Sequence, residues 1–499
     1  MNFALILSLV PFAAFLLLLL SVKTRLSYAA LAAYALMAGI AIVWWGMPGT
    51  GVGAASIKGV AVAVDIFFIL IGAVFFLDVL EKHHIIEHIS FGLERISGDY
   101  RVRMILLAWF LENFIEGTAG FGTPTAIVAP LLVGMGFPAL DAVVLSLLGN
   151  SASVVFGAAG TPIRVGFSGL AGTSVPFLAT LVNIPGLLVP VFMLWFVTRP
   201  RSEGRAEFRE ALPFALVSGV AYVASSALFV VVGQEFPSIL GSVLGLGIML
   251  VCIRFGWFLP TRTRILRSMK KPDSHLSVRA MVAPYAALVA LLIVGKLTLG
   301  SVTFSLPFGV RHAFNLFNPG FAFFAAGLGV AIAWGRRAEL SVPRALRVAV
   351  SKTVEPFLVI AFMSGVTQLM LMSGSNRSGL PSILATIGSV FENRFVGFWT
   401  PFLGMFGSFV TGSATIANIM FGSVIAYVAS ALSMSVDLGL ALLVVGGAAG
   451  NMVALADMLT AETVVGIRNQ EVRVLRHVAV PCLVYVTMVG LLGLLFMHP

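Results

Sequence analysis

The stretch that decides the fold runs from Glu112 to Ile163, ENFIEGTAGFGTPTAIVAPLLVGMGFPALDAVVLSLLGNSASVVFGAAGTPI. It is apolar enough for membrane depth, yet Gly, Pro, Thr and Ser interrupt it again and again. In lipid each unsatisfied backbone group costs several kcal/mol, so irregular backbone survives only where protein or a polar cavity surrounds it. Gly117 to Thr125 reads as such irregular backbone, and half-helices are expected to end near Gly122-Thr123, with a second break near Asn150-Ser151.

The pattern returns later in the chain at a shift of 290 residues, from Gly122 to Gly412. Gly122-Thr123-Pro124-Thr125 falls on Gly412-Ser413-Ala414-Thr415, and Gly157-Ala158-Ala159-Gly160 on Gly447-Ala448-Ala449-Gly450. At the same shift Trp109 falls on Trp399, and Val64-Asp65-x-Phe67 on Val354-Glu355-x-Phe357. Further breaks are therefore expected near Gly412-Ser413 and Gly450-Asn451. Paired interrupted segments in two halves are the best sequence pointer to a transporter's binding site.

Composition agrees with a membrane protein. Hydrophobic residues make up 59% of the 499 residues and charged ones 10%, and the mean hydropathy is +1.03. The fold expected is an all-α polytopic membrane protein, with about 12–14 transmembrane helices of bilayer-spanning length. It forms a single transmembrane domain over 1–499, with a first repeat core at 59–198 and a second at 353–467. The net charge of +10 gathers in loops at 82–103, 199–209, 254–279, 336–352 and 468–476. By the positive-inside rule these loops are cytoplasmic, and they are no sign of nucleic-acid binding. Residues 3–22, followed by Lys23 and Arg25, read as a retained first helix with its N-terminus outside. Residues 80–98 read as an amphipathic helix at the cytoplasmic surface.

Sidedness assigned this way makes the two repeats inverted in the membrane. Counting apolar stretches then fails in parity between Arg103 and Arg199, and again between Arg394 and Arg468. One cause fits both failures: each broken segment holds an extra crossing or a half-helix pair that a hydropathy window overlooks.

Half-helix N-termini offer free amides and a positive dipole end to a carboxylate, and hydroxyls add donors without fixed charge. Gly122, Thr123, Thr125, Asn150, Ser151, Gly412, Ser413, Thr415 and Asn451 are the candidates for such an anion. The alternative is that the small residues serve only close helix packing. Intramembrane acids are costly and usually functional. Glu116 leads as the proton-coupling candidate, followed by Asp457 and by Asp65 and Glu355, each of which stands at the start of an apolar stretch. Arg164 is read as a charge partner, facing Asp457, Glu462 or the substrate itself. Lys296 reads as interfacial.

The segments Ile115-Glu116-Gly117-Thr118-Ala119-Gly120-Phe121-Gly122-Thr123-Pro124, Leu148-Gly149-Asn150-Ser151 and Gly160-Thr161-Pro162, with Thr411-Gly412-Ser413, Asn418, Phe421 and Gly422, resemble the bacterial lactate permease family. The resemblance implies a multi-pass carrier of the bacterial plasma membrane that imports lactate or glycolate with protons, with no catalytic residue and no cofactor. The chain departs from the family pattern at Ala414 and at Ala454-Leu455-Ala456. Another organic anion, or Na⁺ as the coupling ion, is therefore the alternative within transport. Outside transport stands a zinc metallopeptidase, because His84-Ile85-Ile86-Glu87-His88 has the HxxEH spacing. Cys252 and Cys482, the two cysteines, have neither metal-ligand nor disulfide spacing.

Overall fold

A computed structural model describes residues 2–21, 24–120, 122–266, 276–334, 342–392 and 395–497. Lys23, Phe121 and Arg394, and parts of the basic stretches 254–279 and 336–352, lie outside the described residues. Helices dominate, as expected of a chain whose backbone must satisfy itself in lipid. Among the described residues nine helices are long and apolar enough to cross a membrane, or up to eleven with two bent pairs counted. The apolar helices Phe3–Leu19, Thr123–Gly134, Pro319–Ala333 and Val396–Thr411 are shorter.

The first departure from the all-α expectation is a small antiparallel hairpin, Ser301–Ser305 paired with Arg311–Asn315. The segment alternates apolar and polar residues, and Phe308 and Gly309 both take positive φ at the turn between its strands. Positive φ at successive turn residues matches the twist of two antiparallel strands. The hairpin is exposed and sits in the connection between the helices Val278–Thr298 and Pro319–Trp334.

The parity fault has a structural origin. After Thr118 the chain does not run on. It breaks and returns as the helix Thr123–Gly134, which packs back along Leu106–Leu111. The Tyr100 ring lies 6.0 Å from the Phe137 ring, so the start of the first arm and the end of the second meet at one end. This is a helical hairpin. In the second half Val396–Thr411 breaks at Gly412 and returns as Ala414–Ala431, with Gly407 against Ala417 near the tip. The count of apolar stretches passed over both returning arms: the twelve residues of Thr123–Gly134 are too few for a span, whereas Ala414–Ala431 is itself long and apolar enough to cross a membrane.

Two long helices, Gly49–Lys82 and Val342–Met372, pack side by side. Both begin well before the apolar stretches assigned from sequence, so Asp65 and Glu355 lie in mid-helix and not at a helix start. Each acid has a partner. Asp65 Oδ2 lies 2.9 Å from His312 Nε2, and Glu355 Oε1 accepts the Ser27 amide at 2.9 Å. The amphipathic helix expected within 80–98 is Ile85–Glu94, with Ile85, Ile86 and Leu93 buried.

Where the first hairpin begins, Arg101 is fully buried in a polar clamp. Its Nε and Nη2 donate to Asp99 at 3.0 and 2.8 Å, and its Nη1 and Nη2 donate to the carbonyls of Glu207 and Arg262, both at 2.8 Å. Asp99 also caps the helix Tyr100–Ile105 by accepting the Arg101 amide at 2.8 Å, and Tyr100 donates to Glu207 at 2.8 Å.

Candidate functional site

Both hairpin tips and both further breaks converge. Gly122 and Gly412 take φ of +73° and +70°, where a non-glycine residue would be strained, and each lets the chain reverse into its returning arm. The helix Ala139–Gly149 stops at Asn150 and bends there by 44° into the segment Ala152–Arg164, which runs as a short 3-10 turn, Ala152–Phe156, and then Gly157–Arg164. The helix Val436–Gly450 instead tightens into the 3-10 turn Asn451–Val453 with Gly450 and Asn451 still helical, and turns extended only at Ala454 before Leu455–Val464. Three breaks occur at the expected residues, and the fourth, expected at Gly450-Asn451, falls at Ala454 and leaves 436–464 without a sharp bend.

Between them lies a tight cavity of about 20 Å³, lined by Glu116, Gly120, Thr161, Ser413, Thr415 and Asn451 among others. Gly412 also lines it, and among the described residues no basic side chain does. The first hairpin and the Gly157–Arg164 turn supply one wall, the second hairpin and Asn451 the other. Glu116 Oε2 and Asn451 Oδ1 are buried without a hydrogen-bond partner among the described residues. Such orphaned groups cost about 1–3 kcal/mol each and call for a ligand or water. Ser413 Oγ accepts the Ile416 amide at 3.4 Å and so caps the returning helix, while the amides of Ala414 and Thr415 start that helix without intrahelical acceptors.

The other sequence candidates stand beside the cavity and do not line it. Thr125 Oγ1 donates to the Gly122 carbonyl at 2.7 Å, and Thr123 is only half-buried. Ser151 Oγ donates to Leu148 O at 2.7 Å, and Asn150 is fully buried with both amide atoms unpartnered among the described residues. Gly122 faces the Asp457 carboxylate directly, and Asp457 is near enough to act on both Glu112 and Glu116. Ser146 Oγ donates to Glu112 Oε1 at 2.8 Å.

Arg164 corrects the sequence reading. It pairs neither with Asp457 nor with Glu462 but with Glu235, and Lys296 Nζ donates to the same carboxylate at 2.8 Å. Lys296 is thus an ion-pair partner as well as an edge residue. Sequence reasoning missed Glu235, a lone acid in a short connection between two apolar helices; its isolation was the signal available.

Backbone strain gathers here as well. Ala158, Ala159 and Gly160 take φ of +42°, +54° and +79° in succession. Left-handed alanines cost roughly 1–2 kcal/mol each, and strain of this kind persists only where its surroundings over-determine it. Thr161 Oγ1 donates to Ala158 O at 2.5 Å, and Asn418 Nδ2 from the second half holds Pro162 O at 2.9 Å.

Gly149 marks a backbone approach that no side chain fits. A Cβ there would run into the Ala108 carbonyl and come within 2.8 Å of Glu112 Oε2. Gly149→Ala is expected to cost about 1–3 kcal/mol by overpacking. Gly247→Ala, also in a helix but with nothing within 4 Å, should be neutral or stabilising by about 0.5–1 kcal/mol. Thermal unfolding of the two purified variants compares them, and equal midpoints would contradict this packing.

The HxxEH run is not arranged as a metal site. His84 takes φ of +56° ahead of its helix and puts Nδ1 2.9 Å from Glu87, while His88 Nδ1 is 2.7 Å from the His84 carbonyl. Among the described residues no group of three or more His, Cys, Asp and Glu could hold a metal ion. His84→Ala is expected to leave substrate uptake unchanged, which an uptake assay on the variant checks.

Comparison with known proteins assigns this architecture. The chain is 30% identical over 448 residues to a Haemophilus influenzae protein provisionally named L-lactate permease, covering 82% of each. It is 26% identical over 525 residues to an L-lactate permease of Bacillus subtilis, covering 91% of this chain and 88% of that one. It is 25% identical over 497 residues to glycolate permease GlcA of Escherichia coli, covering 86% and 84%. Its relatives are bacterial permeases and its helices are apolar and numerous, so it is a multi-pass transporter of the bacterial inner membrane and not an enzyme. The L-lactate permease family profile matches residues 4–303 and 298–498, and the chain belongs to that family.

Proposed function

We propose that the chain imports a small monocarboxylate, L-lactate or glycolate, together with a proton. The observation that carries this reading is the meeting, in one cavity, of a Glu116 carboxyl oxygen that has no partner among the described residues with Ser413, Thr415 and Asn451, where no described cation lines the wall. The hydroxyls and the first amides of Ala414–Ala431 suit a carboxylate at a helix N-terminus. The cavity is closed down to about 20 Å³, room for about one water, so a substrate of a few non-hydrogen atoms enters it only as its two walls part.

The coupling follows from charge. Two like unit charges about 4 Å apart repel by about 4 kcal/mol at an effective dielectric of 20. A substrate anion and an ionised Glu116 therefore exclude each other, and the anion enters with the carboxyl neutralised by a proton. Asp457, behind Gly122, is the next candidate. Asp65 and Glu355 already have partners on the long helices and rank after it.

Alternating access is read as movement around inverted repeats with cores at 59–198 and 353–467. Two features support it: each half holds a helical hairpin followed by an interrupted helix, and Phe67 packs on its counterpart Phe357 with ring centroids 5.0 Å apart. A residue touching its own repeat mate lies beside a pseudo-twofold axis.

The test is uptake of radiolabelled L-lactate into proteoliposomes with an inward proton gradient. Accumulation that a protonophore collapses is expected. Accumulation that follows an imposed Na⁺ gradient instead would transfer the coupling to Na⁺, and no uptake of lactate or glycolate would overturn the substrate.

A further inference from the structure

Beyond Arg164 the protein opens into a second cavity of about 660 Å³. Arg164, Phe167, Thr173, Phe177, Glu235 and Lys296 contribute to its lining. It adjoins the central cavity in the chain, because Thr161-Pro162 line one and Ile163-Arg164 the other. By the distribution of basic loops, the connections around Glu235 and after Lys296 face outward.

We propose that this vestibule is a separate binding site for small carboxylates, where Arg164 and Lys296 receive the substrate anion before it passes inward. The inference rests on the monocarboxylate reading above. Its ground is an imbalance of charge. Two cations and one acid line the vestibule, and the acid is 97% hidden: the Glu235 side chain is 3% exposed. A single cation would have sufficed to neutralise it.

The donors also exceed the acceptors. Arg164 Nη2 pairs with Glu235, and Nη1 donates to Phe317 O at 3.3 Å. Its Nε is buried without an acceptor among the described residues. The Lys296 ammonium donates to Glu235 at 2.8 Å, and its side chain is 35% exposed, which leaves donors for an incoming anion. Glu235 itself shows that a carboxylate fits between the two cations.

Two further acids flank the vestibule without lining it. Asp437 accepts the Gly172 amide at 2.9 Å and the Ser174 hydroxyl, and Asp65 is 2.9 Å from His312. A cleft with a net positive lining and apolar walls focuses its field on approaching anions. Phe167, Phe177 and Val230 supply a wall for the small apolar body of a 2-hydroxy acid.

The experiment places a reporter thiol at exposed Thr173. In Thr173→Cys, labelling from outside is timed with a sulfonate-bearing and a trimethylammonium-bearing methanethiosulfonate, with and without Lys296→Gln. Native Cys252 and Cys482 are buried, and the parent chain controls for them. The expected result is a preference for the anionic reagent that falls about fivefold on removal of the Lys296 charge, with L-lactate slowing the reaction. In uptake, Lys296→Gln alone should raise KM for L-lactate by a similar factor with kcat unchanged. An unchanged reagent preference, or a fall in kcat at constant KM, overturns the site. If the parent protein moves no lactate, the transport reading fails by itself, and the reagent preference still decides whether the vestibule attracts anions.

Discussion

Glu116→Gln is expected to abolish accumulation of L-lactate against its gradient while sparing exchange of internal for external lactate. Glutamine resembles the protonated carboxyl in shape and hydrogen bonding, so the anion site stays open in every step of the cycle. What is lost is the obligation to carry a proton with each anion. With a repulsion of about 4 kcal/mol removed from the unprotonated state, gradient-driven uptake should drop about a hundredfold or more. Exchange should remain within about threefold of the parent, since the side chains that hold the carboxylate are untouched. The measurement is proton-driven uptake beside lactate counterflow in the same proteoliposomes. Loss of both would make Glu116 a structural or substrate-binding group. Retention of both would move the coupling to Asp457, tested in the same way with Asp457→Asn.

The second large effect concerns folding. Arg101→Ala is expected to cost about 3–5 kcal/mol, the usual penalty for removing one partner of a buried ion pair. The guanidinium binds Asp99 through two nitrogens and ties the start of the first hairpin to the Glu207 and Arg262 carbonyls. Its loss strands a buried carboxylate and two carbonyls together. Adding Asp99→Asn should recover part of the loss, because asparagine still caps the helix Tyr100–Ile105 and no unpaired charge is left. Thermal unfolding and the yield of monodisperse protein report both variants. If Arg101→Ala unfolds at the same temperature as the parent, the clamp contributes nothing. If the double variant is no better than the single, the stranded charge was not the cost.

Much of the site was legible because helix breaks are local events. Gly122 and Gly412 carry the reversals, and Asn150 and Asn451 follow the ends of their helices, each at the residue where apolar periodicity stops. The parity of basic loops even required the missing arms, Thr123–Gly134 and Ala414–Ala431. The offset of 290 residues, from Gly122 to Gly412, was less uniform than the string matches suggested. Gly157–Gly160 is a left-handed turn, whereas Gly447–Gly450 is the regular end of a helix. Small residues tolerate both backbones, so their identity could not distinguish them. The Trp pair diverges too. Trp109 is buried and donates to Ser218 O at 3.3 Å, while Trp399 is 55% exposed.

The sequence by itself therefore determined the class of the protein, most of the positions of its broken helices and the presence of an acid, Glu116, beside them. These depend on apolar length, on Gly and Pro, and on the rarity of charge inside lipid, all of them properties of short segments. Only the tertiary structure decided which polar residues share the cavity, why Thr123 and Thr125 stand outside it, and that Arg164 meets Glu235 and Lys296. Those pairings join segments more than 300 residues apart in places, such as Glu116 and Asn451 across one cavity. Their register is set by how each hairpin packs on the element after the break of the other half, Thr123–Gly134 on Leu455–Val464 and Ala414–Ala431 on Gly157–Arg164, and helix packing at that distance leaves no mark on local composition.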